Sequence, residues 1–170
     1  MIPFGDRPLL HLQIASWLEK HAPLELSELT ALHFSEGGSG ESAFGHFLAA
    51  AELAEARNDG RAHELYLKLT ELEVPAEMAV RAHLALLRYQ HRQGLADTAV
   101  GQLLEAEKLL AQVGGEAQER LGAQVAAWRE KLGLQPVAPT ESTGAEANAD
   151  GQVAAAGAHA AAEDTRRAPE

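Results

Sequence analysis

Cysteine is absent from the chain, which excludes disulfides, thiolate metal sites and a thiol nucleophile. Aromatic side chains make up only 5% of it, so a core has to be built mainly from Leu, Val and Ala. Positive charge is scarce as well: 14 Lys and Arg stand against 25 Asp and Glu, for a formal net charge of −11. That balance argues against a chain whose main task is to grip nucleic acid or an anionic membrane. No stretch approaches the ~20 apolar residues of a membrane span. The N-terminus has no basic segment, and Asp6, Arg7, His11 and Gln13 interrupt any apolar run behind it. No export signal is therefore expected, and the cytoplasm is the expected location. Four Lys against ten Arg, with abundant Ala and Gly, fit a GC-rich bacterial coding sequence.

What is present divides unevenly. The stretch 1–134 holds every aromatic residue, 19 acids and 12 bases, whereas 135–170 holds 12 Ala and no aliphatic larger than Val137 and Val153. A segment so poor in large apolar groups cannot offset the entropy of ordering it, and Pro136 and Pro139 mark its start. The expected organisation is a domain over 1–134 and a disordered Ala-rich tail over 135–170.

Within the domain the periodicity is helical and no strand pattern occurs. From Ala96 to Val113 the residues Ala99, Leu103, Ala106, Leu110 and Val113 form one narrow stripe. Gly114 and Gly115 follow it, and glycine supplies the left-handed conformation that ends helices. The helix before it, Ala76–Gln93, is apolar over about two thirds of its circumference, as a helix covered on two sides requires. Pro75 starts that helix and Gly94 closes it. The same alternation precedes it: a broad apolar helix from Ser42 to Arg57, a turn at Asn58-Asp59-Gly60, and a one-sided helix from Arg61 to Glu73. Glu116–Lys131 carries a single stripe of Ala117, Leu121, Val125, Trp128 and Leu132, suited to a cap over about 116–132. Near the N-terminus, Leu10, Ile14, Trp17 and Leu18 form another stripe that Pro23 interrupts, and Leu24–Phe34 reads as a short partner helix. Gly37-Gly38-Ser39-Gly40 reads as a flexible joint. About seven helices are expected.

One helix runs against the acidic trend. Arg81, Arg88 and Arg92 fall within about 40° of one another on the face that Ala76–Gln93 leaves free of apolar residues. Arginine forks suit carboxylates, so an acidic peptide segment is the expected occupant.

A shift of 37 residues superposes the two helical hairpins without a gap: His46 falls on His83, Ala62 on Ala99, Tyr66 on Leu103, Leu67 on Leu104, Leu69 on Ala106 and Leu72 on Leu109. Ala99, Leu103 and Ala106 follow a small–large–small pattern, and Arg92-Gln93-Gly94 ends the preceding helix with a polar pair and glycine. In these features the chain resembles the tetratricopeptide repeat (TPR) family, which repeats helical hairpins at about 34 residues. It departs from the family at His46 and His83, where an aromatic is usual, and at Leu69, where the second small residue is expected. The resemblance implies an all-α, right-handed stack of antiparallel hairpins, with repeats over about 42–75 and 76–113. In that family the first helices line a concave groove that binds peptides. Carried onto this sequence, the groove positions are Arg81, Leu84, Arg88, His91 and Arg92. The implied function is a protein–protein interaction module, an adaptor, scaffold or chaperone, without cofactor.

Other classes find less support. Eight histidines are present, but no two have the i, i+3 or i, i+4 spacing of helical metal ligands. Neither a nucleophile elbow nor a phosphate loop occurs, and adjacent carboxylates such as Glu71 and Glu73 lie on different helix faces, so no catalytic constellation emerges. A DNA-binding helix-turn-helix over Leu9–Ala56 is the alternative. Its recognition helix would carry Glu41, Glu52 and Glu55 with only Arg57 basic, poor for a phosphate backbone.

Overall fold

The computed structural model describes residues 6–135. Among them are seven α-helices and no strand: α1 (Arg7–His21), α2 (Ser27–Glu36), α3 (Gly40–Ala56), α4 (Ala62–Thr70), α5 (Ala76–Arg92), α6 (Ala96–Leu110) and α7 (Gly115–Lys131). Each helix packs against the next along the chain, and α5 also touches α7. The all-helical class and the number of helices agree with the sequence. The tail read at 135–170 lies outside the described residues apart from Gln135.

The helix ends follow local chemistry. Pro8 occupies the first turn of α1, where a missing N–H costs nothing. Ala22, held extended before Pro23, stops the helix. A single 3₁₀ turn at Leu24–Leu26 then leads into α2. Pro75, at φ −54°, sets the entry to α5. Glu77 in its first turn and His91 and Arg92 in its last both suit the helix dipole. Gly94 closes α5 at φ +76°.

Helix boundaries differ from the sequence reading by up to three residues; the helix read at Leu24–Phe34 is α2 at Ser27–Glu36, and the one read from Ser42 starts at Gly40. α6 ends at Leu110 and not at Val113, and the left-handed glycine in the following turn is Gly115 alone, at the mouth of α7. α4 ends at Thr70, so the stretch 71–75 is connection.

The glycine run between α2 and α3 is a packed corner and not a free joint. Ser39 N–H donates to the Phe34 carbonyl at 2.8 Å across Gly38, which sits at φ +78°. A Cβ on Gly37 would press on Leu12, and one on Gly40 would collide with the Glu73 carbonyl oxygen. Glycine is needed here for close approach.

The apolar side chains form two clusters with α5 between them. On one side Ala82 and Leu86 of α5 join Phe34, Phe44, Phe47, Leu65, Tyr66 and Leu69 from α2, α3 and α4. On the other, Val80, Leu84 and Leu87 join Leu103, Leu121 and Val125 from α6 and α7. This is the two-sided burial expected for α5. Each fully buried Leu contributes roughly 1.5–3 kcal/mol. Buried alanines at 15, 31, 43, 51, 62, 82, 99 and 106 let the helices approach closely, which is how the fold manages with so few aromatics.

Candidate functional site

The arginine stripe of α5 lies beside α3. Arg81 places its guanidinium 5.5 Å from the centre of the Phe44 ring. Arg88 donates to Glu52 at 3.2 Å, and Arg92 donates to Glu55 at 2.6 Å. The ion-paired partners lie 36 and 37 residues apart, and Phe44 precedes Arg81 by the same 37. An offset that stays within one residue of 37 means that these stretches of α3 and α5 run in the same direction, close to the register of the sequence shift.

Between α3, α5 and α7 opens a groove of about 220 Å³. Phe44 and Leu48 form one wall, Leu84 and Ala85 the floor, and Trp128 of α7 the far side, with Arg81, Arg88, Glu52 and Gln124 at the rim. Of the five positions expected to line a groove, Arg81, Leu84 and Arg88 are brought together here. His91 does not line it but meets the edge of Trp128 at 5.3 Å between ring centres. Arg92 lies outside it, held by Glu55.

The stripe is largely neutralised from within. Tyr66, fully buried on α4, donates to Glu55 at 2.9 Å, so Glu55 holds both Arg92 and the phenol. Burial first, and then the Glu55 carboxylate, push the Tyr66 hydroxyl up to about 12, against the pull of Arg88. Burial opposes the Arg88 charge, but the Tyr66 hydroxyl and Glu52 outweigh it and leave the guanidinium raised above its ordinary value. Arg81 forms no ion pair among the described residues and stays exposed. The groove mouth thus carries one uncompensated cation where the sequence showed three aligned.

Phe44, Leu48, Glu52, Gln124 and Trp128 escaped the sequence reading as groove residues. A usable signal was there: the 37-residue shift already sets Phe44 on Arg81 and Glu55 on Arg92.

Several histidines meet partners on a neighbouring helix. His11 Nδ1 and His33 Nδ1 lie 3.0 Å apart, joining α1 to α2. His83 contacts Gln102 at 2.8 Å, and His46 stacks on Phe34 at 5.5 Å. Among the described residues, no group of three or more His, Asp or Glu could hold a metal ion, and no helix is long and apolar enough to cross a membrane. Comparison with protein-family models, curated proteins and solved structures returns no match.

Proposed function

We propose that the chain is a non-enzymatic interaction module, an adaptor, scaffold or chaperone, that receives a peptide segment of another protein in the groove between α3, α5 and α7. The observation that carries this reading is Arg81, an exposed cation without an ion pair among the described residues, at the mouth of a groove walled by Phe44, Leu84 and Trp128. Apolar walls with a few polar groups at the rim are the usual make-up of a recognition site. The resemblance to tetratricopeptide repeats, and the register shared by α3 and α5, support a groove built from first helices.

The charge arrangement narrows the ligand. Glu52 and Glu55 already occupy Arg88 and Arg92, so a strongly acidic strip would have to displace both carboxylates. A segment with one carboxylate beside apolar side chains fits better. The carboxylate meets the Arg81 fork, and an apolar side chain enters between Leu84 and Trp128.

Panning a random peptide library on the immobilised chain tests this. The wild type should enrich peptides that pair a carboxylate with a large apolar residue, and both Arg81→Glu and Ala85→Arg should abolish that enrichment. Equal enrichment on wild type and Ala85→Arg would end the groove reading. Arg81 is the cleaner charge to reverse, because Arg88→Glu or Arg92→Glu would also face Glu52 or Glu55 and disturb the fold itself.

A further inference from the structure

Seven of the ten exposed large hydrophobic residues among those described lie between Leu9 and Leu32. Trp17 is the most exposed of them at 60%, yet its ring does not hang free. It stacks on His21 at 4.9 Å, and His21 is itself anchored to the Trp17 carbonyl at 2.8 Å. A large aromatic held in one orientation outside the core is what an interface anchor requires.

The stripe that carries Trp17 is balanced about its midpoint. Asp6, at φ −92° and ψ −9°, continues the first turn of α1 outward. Asp6, Leu9, Gln13, Trp17 and Lys20 then follow one exposed face within about 80°, at steps of three, four, four and three residues. The buried residues of α1, Ala15 and Leu18, lie on the opposite face. An anion thus opens the stripe and a cation closes it about 21 Å away. A bulky apolar group stands inside each, and Gln13 is the centre. Both end charges are exposed and form no ion pair among the described residues. The neighbouring acids are taken: Glu19 turns to His46, Glu25 to Arg57, and Glu28 to Arg61 and Lys68. Arg7 lies off the stripe. Beside Trp17 is a hollow of about 410 Å³, bordered by Leu12, Gln13, Ser16 and His21.

We infer that two copies of this chain pair through α1, antiparallel about a two-fold axis at Gln13. Asp6 meets the partner's Lys20 at one end, and Lys20 meets the partner's Asp6 at the other. Leu9 packs on the partner's Trp17, and Leu10 enters the hollow beside it. The order of the charges selects a second copy. A surface of one sign would satisfy either Asp6 or Lys20 and leave the other facing its like, whereas α1 reversed offers both signs at the matching distance. Asp6 and Glu19 against Arg7 and Lys20 make this helix neutral overall, so pairing it with itself brings no net repulsion. Pairing in the same direction would set Asp6 on Asp6 and Lys20 on Lys20, so charge fixes the antiparallel order too. Such a contact is isologous and closes at two copies. No residue of α1 lines the peptide groove between α3, α5 and α7, so the pairing does not depend on that reading.

Sedimentation velocity of the full chain over a concentration series provides the test. The average mass should rise to that of a dimer and stop there. Trp17→Arg, at an exposed position, should stay monomeric. Asp6→Lys and Lys20→Glu should each weaken the dimer about tenfold, and the chain carrying both should regain it. The two single variants, mixed in equal amounts, should pair with each other in preference to themselves, since every like-charge contact then becomes an unlike one. Because the chain has no cysteine of its own, Gln13→Cys should form a disulfide dimer in air, and adding Trp17→Arg should suppress it. A chain that stays monomeric at every concentration overturns the inference. So does a mass that keeps climbing past the dimer, a Lys20→Glu variant that dimerises as well as wild type, or single variants that show no preference for each other.

Discussion

The Tyr66 hydroxyl donates to Glu55 at 2.9 Å from a side chain with no solvent exposure. This bond ties α4 to α3, and Arg92 of α5 extends it by donating to the same carboxylate. A buried phenol needs such a partner, since an unsatisfied one costs about 1–3 kcal/mol. The three helices meet at one polar knot, just beyond the apolar groove.

Tyr66→Phe keeps the ring and removes only the hydroxyl. Glu55 retains Arg92, so the expected loss is about 1–2 kcal/mol of unfolding free energy in urea. The variant should also change the alkaline limb of stability. The folded phenol is raised to about 12 from an ordinary value of 10.0. The unfolded chain releases its proton from about pH 10, whereas the folded one holds it to about 12. Stability linked to this group is therefore complete below pH 10 and lost as pH rises from 10 through 12. Thermal unfolding measured across that range should show a steeper decline in wild type than in Tyr66→Phe.

The two arginines at the ends of the α5 stripe should behave differently although the sequence treats them alike. Arg92→Glu sets a carboxylate against Glu55, whose side chain is only 17% exposed. It should cost about 1–3 kcal/mol. Arg81→Glu loses the contact with Phe44, worth about 0.5–1 kcal/mol at an exposed site, and adds only the weak exposed repulsion of Glu77 one turn before it on α5, about 0.2–0.5 kcal/mol. Urea midpoints of the two variants at low salt check this. Equal losses would mean that the α3–α5 ion pairs contribute nothing distinctive.

The contrast shows what could be read from the sequence and what could not. Periodicity placed seven helices, the two-sided burial of α5, and three arginines on one face, because each is a property of one helix at a time. Where those arginines go is decided by which helix lies alongside, and no pattern within α5 contains Glu52 or Glu55. The 37-residue shift held part of the answer, since aligned copies that lie side by side place aligned residues in contact. The glycine corner failed for a related reason: Gly37 and Gly40 look like a linker until Leu12 and Glu73, distant in the chain, are packed against them. The pairing of His11 with His33 was hidden in the same way, being set by how α1 meets α2 and not by spacing along either.

Glycine substitutions separate close approach from loose fit. In Gly40→Ala the new Cβ meets the Glu73 carbonyl, which is backbone and cannot rotate away. A loss of about 1–3 kcal/mol follows from overpacking. In Gly45→Ala, five residues along the same helix, the new Cβ meets nothing within 4 Å. Helix propensity then favours alanine by about 0.8–1 kcal/mol. Opposite shifts in melting temperature are expected from the same chemical change.

Gln90 on α5 offers a gain in stability. Its side chain is 3% exposed, and its Oε1 is buried without a hydrogen-bond partner. The neighbouring turns of α5 bury Leu86 and Leu87, so the local surroundings suit an apolar group of similar length. A buried carbonyl oxygen without a donor costs about 1–3 kcal/mol, and replacing it with an apolar group of the same shape removes that cost. Methionine matches glutamine in length and adapts to irregular space. Gln90→Met should therefore raise the urea midpoint, by the equivalent of about 1 kcal/mol, without changing the slope of the transition. Gln90→Glu should lower it, because the same pocket would then have to hold a charge. If Gln90→Met is destabilising instead, the Gln90 amide makes interactions in solution that its buried oxygen does not reveal.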